Sequence, residues 1–336
     1  MSLRIIGAGL QTTVQDLGRP SHQRQGIPGG GAMDRAAMRV ANIVVGNDQG
    51  DAALEAALIG PTITFQRPAL IAVTGGDLEP TLGEQPLAMW HPIHVPRGAT
   101  LRFGRPQSGC RTYIAVAGGI DVPPVFGSRS TYLRAAFGGY QGRALRAGDE
   151  LAVGEPSQLS MKIAESLPLT NNHPTTARWS IGHTLRSRYS PEPVVRLIGG
   201  THTDLLSATS RTKLFSATFK VSSSSDRMGY RLNGAALPLR EPVELLSEGV
   251  TFGTVQLPPD GSPIILMADR QTAGGYPRIG EVASVDLPLV AQLKPGEGLR
   301  FRPISVEEAQ QLYLMQEQDL AQARSAIALR YSRGTS

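Results

Sequence analysis

A single cysteine, Cys110, stands in the 336-residue chain, which rules out a disulfide framework and a thiolate metal site. It reads as a small buried residue. No apolar run approaches the roughly 20 residues that a bilayer-spanning helix needs. Met1 to Ile6 open directly into a strand-like pattern with no signal-peptide core, so a cytoplasmic protein is expected, without a membrane partner. There is also no Lys/Arg tract. The net charge of +5 comes from scattered arginines such as Arg102, Arg105, Arg186 and Arg188, so no nucleic-acid surface is expected. The six histidines lack HExxH or CxxC surroundings. His91 with His94, and His202 with Asp204, have spacings seen in metal sites, but isolated pairs are usually surface or core residues, and no metal is expected.

What the chain does have is glycine and proline, 38 and 25 residues, spread in pairs as expected for many short strands joined by tight turns. With 40% hydrophobic residues, a mostly β globular protein is expected. Strand candidates are Leu70 to Val73, Thr112 to Ala117, Phe215 to Val221 and Pro263 to Met267. Helices are few. Asp34 reads as the N-cap of a helix whose apolar positions Ala37, Val40, Ala41, Val44 and Val45 end at Gly46. Asp286 reads as the cap of a short helix running to Gln292. Ser305 and Glu308 form a capping box before a stripe of Ala309, Leu312, Tyr313, Leu320, Ala323 and Ile327.

Several segments echo one another in order. Arg4 to Gly9 resembles Arg196 to Gly200, Leu54 to Gly60 resembles Leu246 to Gly249, and Val95 to Phe103 resembles Leu293 to Phe301. Each match alone is an ordinary turn before a strand, but together they suggest a duplicated domain. The resulting organisation is a first domain at residues 1–156, a polar connection at 157–193 with a short strand near Trp179 to Ile181, a second domain at 194–304, and a C-terminal amphipathic helix at 305–330.

Two segments pack charge, tyrosine and glycine into eight or nine positions: Ser225 to Leu232, and Asp269 to Pro277. That mixture suits residues aimed at a ligand from loops. Asp226, with Arg227 and Arg231 close by, is commonly part of a structural ion pair; alternatively Arg227 and Arg231 grip a carboxylate or phosphate while Asp226 orients them. Asp269, Gln271, Thr272 and Tyr276 either close a turn through Gly274 and Gly275 or surround a small polar substrate. Earlier in the chain, Gln15, Asp16 and Arg19 precede the glycine loop Gly26 to Asp34. A helix N-terminus reached through these glycines can offer backbone N–H groups to an anion, although the loop lacks the Lys-Ser/Thr ending of a phosphate loop, and a turn whose Asp34 only caps the helix explains it equally well. The glycine-rich stretch from Gly118 to Arg143 suggests a binding loop or lid and contains Ser128 and Arg129. Neither Ser128 nor Ser130 sits in a nucleophile elbow.

These segments resemble those of the family that comprises allophanate hydrolase subunit 2, the carboxyltransferase domain of urea carboxylase, and the C subunit of bacterial 5-oxoprolinase (PxpC, also KipA). The likeness runs through Gly9 to Arg19, Gly26 to Asp34, Val45 to Asn47, Ala115 to Ile120, Gly127 to Tyr132, Asp226 to Leu232, Val255 to Pro258 and Asp269 to Pro277, nearly the whole chain to Phe301. The least typical part is Ser157 to Pro193, and Gly29 and Gly30 stand where relatives vary. The resemblance implies a pair of cyclophilin-like β-barrels in tandem. It also implies a KipI/allophanate hydrolase subunit 1-like partner (PxpB), an amidohydrolase-type partner (PxpA), and ATP-dependent opening of the 5-oxoproline lactam to L-glutamate. ATP, with Mg, is expected on this chain or at a subunit interface, and no biotin is attached to the chain, which lacks a Met-Lys-Met motif.

On this reading Asp226, Arg227, Arg231 and Asp269 are the catalytic candidates. Tyr230, Gln256, Gln271, Thr272, Gly275 and Tyr276 would bind the small amide substrate, with Gln15, Asp16, Arg19, Ser128 and Arg129 as secondary candidates. Asp16 to Arg19 and Gly75 to Asp77 are expected to be the first domain's counterparts of the two segments. Two other roles stand beside this one: carboxyltransferase component of a biotin-dependent urea or amide carboxylase, and a KipA-type regulatory protein that sequesters a kinase inhibitor.

Overall fold

The computed structural model describes residues 2–332 and divides the chain into two compact units, each interrupted in sequence. Among the described residues, the first comprises residues 2–18, 34–187 and 317–332; the second comprises residues 19–33 and 188–316. Met1 and residues 333–336 lie outside the described part.

The first unit is built on two six-stranded sheets. One orders its strands as Glu150–Ala152, Ser2–Gly7, Thr62–Phe65, Thr100–Arg102, Thr81–Leu82 and Gln85–Pro86. The other runs Thr175–Thr176, Ile93–Val95, Ala69–Asp77, Ser108–Val116, Ala53–Ala57 and Gln11–Gln15. Its central strand Ala69–Asp77 is buried almost throughout, which is why it reads as a continuous apolar run and not as an alternation. One reason is the helix Arg35–Val44, which lies against this strand: the Thr74 hydroxyl donates to the Ala37 carbonyl at 2.7 Å. That helix begins as expected, with the Asp34 carboxylate accepting from the Ala37 amide at 2.9 Å.

In the second unit seven strands close into a barrel, in the order Val194–Gly199, Arg278–Val282, Thr254–Gln256, Ile264–Leu266, Gly229–Asn233, Thr218–Val221 and Gly298–Pro303. All neighbours are antiparallel except the closing pair, Val194–Gly199 with Gly298–Pro303. Closure leaves no free edge. Phe219, Phe301, Val255, Ile265 and Leu299 fill the interior, joined by Met33 from the early segment.

The mostly β class with few helices and a C-terminal helix holds. The barrel closes in the second unit, while the strands of the first lie in two sheets. The proposed echoes fare unequally. Arg4 and Arg196 lie on corresponding opening strands, but Leu54 is buried in a sheet and Leu246 is 90% exposed, so that match is not a structural repeat. Phe215 belongs to the helix Ala208–Ser216 and not to the strand that follows. Trp179 to Ile181 is not a strand; the extended pair nearby is Thr175–Thr176.

Asp286 does stand at the N-cap of a short helix, Leu287–Ala291, but makes no capping bond. Its carboxylate instead accepts from the backbone amide and the guanidinium of Arg196. The Ser305 and Glu308 capping box forms reciprocally at 3.1 Å each way. It opens the helix Val306–Ser332, whose later half belongs to the first unit. There Arg39 pairs with Glu317, and Leu320 and Ile327 are buried, while Tyr313 of the expected stripe is exposed. No described helix is long and apolar enough to cross a membrane.

Candidate functional site

The pairing of Gly229–Asn233 with Ile264–Leu266 sets Gly229 opposite Leu266. The chain just before the first strand and the chain just after the second therefore emerge at the same end of the barrel. This register brings together the two segments singled out in the sequence. The Asp269 amide donates to the Arg227 carbonyl at 2.8 Å. The Arg227 side chain forks onto the Asp269 carboxylate, Nε to Oδ2 at 2.9 Å and Nη2 to Oδ1 at 3.1 Å. Both are buried, 6% and 4% exposed. An ion pair removed from water holds only with such bidentate geometry.

The segment 19–33 completes this cluster within the same unit. Arg227 Nη2 also donates to the Gly31 carbonyl at 2.6 Å, and the Gly30 amide donates to the Ala268 carbonyl at 3.1 Å. Gly30 and Gly31 have φ of 62° and 92°, the left-handed region that favours glycine. A side chain at Gly30 would stand 3.0 Å from Arg19 Nη1 and 3.7 Å from Asp269 Oδ1. Arg19 is the largest of the fully buried side chains, 1% exposed. Two guanidinium groups and a carboxylate thus meet at a backbone that has little room for a Cβ. A cationic pair of this kind suits an anionic oxygen.

A second group of polar side chains extends from this cluster. Gln256 is buried, and its amide lies so close over Gly274 that any side chain there would collide with it. Gln271 Nε2 donates to Gln256 Oε1 at 3.4 Å, and Gln256 Nε2 to the Tyr276 carbonyl at 3.5 Å. Gly275 and Tyr276 line a cavity of roughly 620 Å³ with the loop Leu237 to Leu245 and with Pro258 and Pro259. Tyr276 is 47% exposed.

Other candidates are placed elsewhere. Along Gly229–Asn233 the burial alternates, so Tyr230 and Leu232 point into the barrel and Arg231 points out to solvent. Tyr230 is a core residue whose hydroxyl donates to the Ala291 carbonyl at 3.3 Å. Arg231 therefore does not converge with Arg227. Asp226 is exposed and closes its own turn, accepting from the Met228 and Gly229 amides.

In the first unit, Asp16 is saturated by four donors: the hydroxyls of Ser128 and Ser130 and the amides of Gly18 and Arg129. Gln15 donates to Thr13 and to the Thr131 carbonyl, and Arg129 Nε to the Val122 carbonyl. These four residues, Gln15, Asp16, Ser128 and Arg129, knit strand to loop inside that unit. His91 and His94 each bond a backbone carbonyl through Nδ1. Among the described residues no group of three or more His, Cys, Asp or Glu is arranged to hold a metal ion.

Four residues escaped the sequence reading as site residues. Gly30 and Gly31 were visible only as loop residues, and Arg270 as the neighbour of Asp269. Arg270 Nε donates to the Val250 carbonyl at 3.3 Å. Gln23 has no local signal at all; its partners lie more than two hundred residues away.

The closed barrel in one unit and the two sheets of the other belong to a chain of the carboxyltransferase class. Residues 25–303 match the model for the carboxyltransferase domain, subdomain A and B, and the chain belongs to that family. It is 40% identical over 309 residues to the C subunit of 5-oxoprolinase from Escherichia coli, covering 91% of this chain and 93% of that protein. To the 5-oxoprolinase C subunit of Haemophilus influenzae it is 36% identical over 324 residues, covering 96% and 98%. Among solved structures, the urea carboxylase of Kluyveromyces lactis matches with a TM-score of 0.86 at 32% identity, covering 96% of this chain and 29% of that chain.

Proposed function

We propose that this chain is a subunit of an ATP-dependent 5-oxoprolinase and opens the 5-oxoproline lactam to L-glutamate together with a KipI-like and an amidohydrolase-type partner. The observation that carries the reading is the Arg227–Asp269 fork against Gly30 and Gly31, with Arg19 beside it. The near end-to-end likeness to the 5-oxoprolinase C subunits supports it.

A lactam carbonyl is a poor electrophile, and phosphorylation of its oxygen turns it into a good one, provided cations hold the transferring group. When bound, ATP supplies that phosphoryl group. Arg19 and Arg227 are the groups on this chain that suit its oxygens or the substrate carboxylate. Both oxygens of Asp269 are engaged by Arg227, so Asp269 orients the arginine. Gln256 and Gln271 each present an amide donor and acceptor, the complement of a lactam N–H and C=O. Asp226 and Arg231, on the outer surface, have no part in the chemistry.

The test is reconstitution of the chain with its partners, ATP and 5-oxoproline. Arg227→Ala should lower glutamate formation at least about a hundredfold, the scale of removing a charge-stabilising donor, while the complex still assembles. Near-normal turnover would overturn the assignment. The likeness to urea carboxylase favours a second reading, carboxyl transfer from a separate biotinyl carrier to a urea-like amide. Substituting those reagents in the same assay separates the two.

A further inference from the structure

Gln271, Thr272, Gly275 and Tyr276 lie on or beside a two-stranded ribbon, Glu248–Gly249 with Ala273–Gly274, that is separate from the closed barrel sheet. With two residues in each strand it is too short to hold its own shape. Its outer strand is fastened by Arg278, which donates to the Gly249 carbonyl at 3.1 Å and pairs with Glu248. Next to it, the hydroxyls of Thr251 and Thr254 donate to the Glu281 carboxylate. At the base of the ribbon the Val250 amide donates to the Thr272 carbonyl at 3.2 Å. Gln23, from the 3-10 helix Pro20–Gln25 and 227 residues before Val250, meets there the residues that flank the two strands. Its Nε2 donates to the Val250 carbonyl at 2.8 Å and to the Thr272 carbonyl at 3.2 Å.

We propose that Gln23 is a positioning residue: its side-chain amide clamps the two strands of the ribbon and so fixes Gln271 and Tyr276 for substrate. The proposal rests on the reading above that these two residues face the substrate. The chemistry demands a double donor, because one NH₂ group carries two hydrogens and both targets are carbonyl oxygens. Each carbonyl also has a second donor, Arg270 Nε for Val250 and the Val250 amide for Thr272. Losing Gln23 therefore loosens the ribbon without orphaning a buried acceptor, and the fold persists. A carboxylate of the same shape donates nothing and faces two carbonyls, whereas an ammonium restores the donors.

Amide hydrogen exchange on the purified full chain tests this without relying on any activity. Gln23→Ala and Gln23→Glu should speed exchange of residues 271–276 by about tenfold, the scale of one lost hydrogen-bonding group, with strand Ile264–Leu266 unchanged. Gln23→Lys should return the rate to within about threefold of the parent. In the reconstituted complex the Ala and Glu variants should raise KM for 5-oxoproline by a similar factor, with kcat altered less. Exchange in Gln23→Glu equal to the parent, or acceleration spread evenly over the barrel, would overturn the clamp. A parent complex that fails to open the lactam sinks the functional reading instead, and the exchange rates still decide the clamp.

Discussion

Asp16 and Asp269 are buried to similar extents, 8% and 4% exposed, and both stand in motifs that the sequence marks as chemical, yet their surroundings assign them opposite roles. Asp16 takes two serine hydroxyls and two backbone amides, all neutral and all from its own unit. Its lone pairs are filled by groups with no charge to lend, so it ties a strand to a loop. Asp269 is bonded to a guanidinium that reaches on to a glycine carbonyl, next to a second buried arginine. A carboxylate met by neutral donors ends a network. One met by arginines organises charge that a ligand can use.

The largest test of that contrast is Asp269→Ala, which leaves the Arg227 charge buried without its carboxylate. It should cost about 3–5 kcal/mol in denaturant unfolding of the purified chain and remove lactam opening. The double change Arg227→Met with Asp269→Leu should recover most of that stability, because an apolar pair avoids the desolvation penalty, while activity stays lost; recovered activity would break the comparison.

Asp16→Ala should be milder, about 1–3 kcal/mol for donors left without their acceptor. The remaining folded protein should turn over normally once the folded fraction is counted, and a specific kcat defect would move Asp16 into the site. Smallest is Arg231→Ala, on the solvent face of the barrel, with a stability change within about 0.5 kcal/mol and unaltered turnover. A large kcat loss there would reinstate Arg231.

How much of this was legible depends on range. Local rules read well: the Asp34 cap and the Ser305–Glu308 box follow from short-range chemistry and both form. The alternation in Gly229–Asn233 was equally legible, and applying it sends Tyr230 inward and Arg231 outward. Counting charged residues in that segment hides the distinction. Asp286 illustrates a different limit. It occupies a cap position, but a guanidinium and an amide from Arg196 outcompete the helix for its carboxylate.

The convergence of Arg227 with Asp269 needed the strand register, and that of Arg19 and Gly30 needed the path of a segment whose partners are remote in sequence. No periodicity encodes either. Gln23 is the extreme case, a polar residue on a half-exposed turn that only the folded chain distinguishes from its neighbours.

The path of residues 19–33 also bears on how the protein can be dissected. A fragment beginning at Arg188 would look like a self-sufficient barrel on a sequence map, but it would lack Met33 from its hydrophobic interior and Arg19, Gln23 and Gly29 to Gly31 from its polar end. The first unit likewise needs residues from Glu317 onward, which follow the barrel in the chain. Neither half can be cut free at a single point. Gene fusions, truncations and recombination between relatives have to respect a chain that is interlaced, with compatible sequence exchanged as a whole.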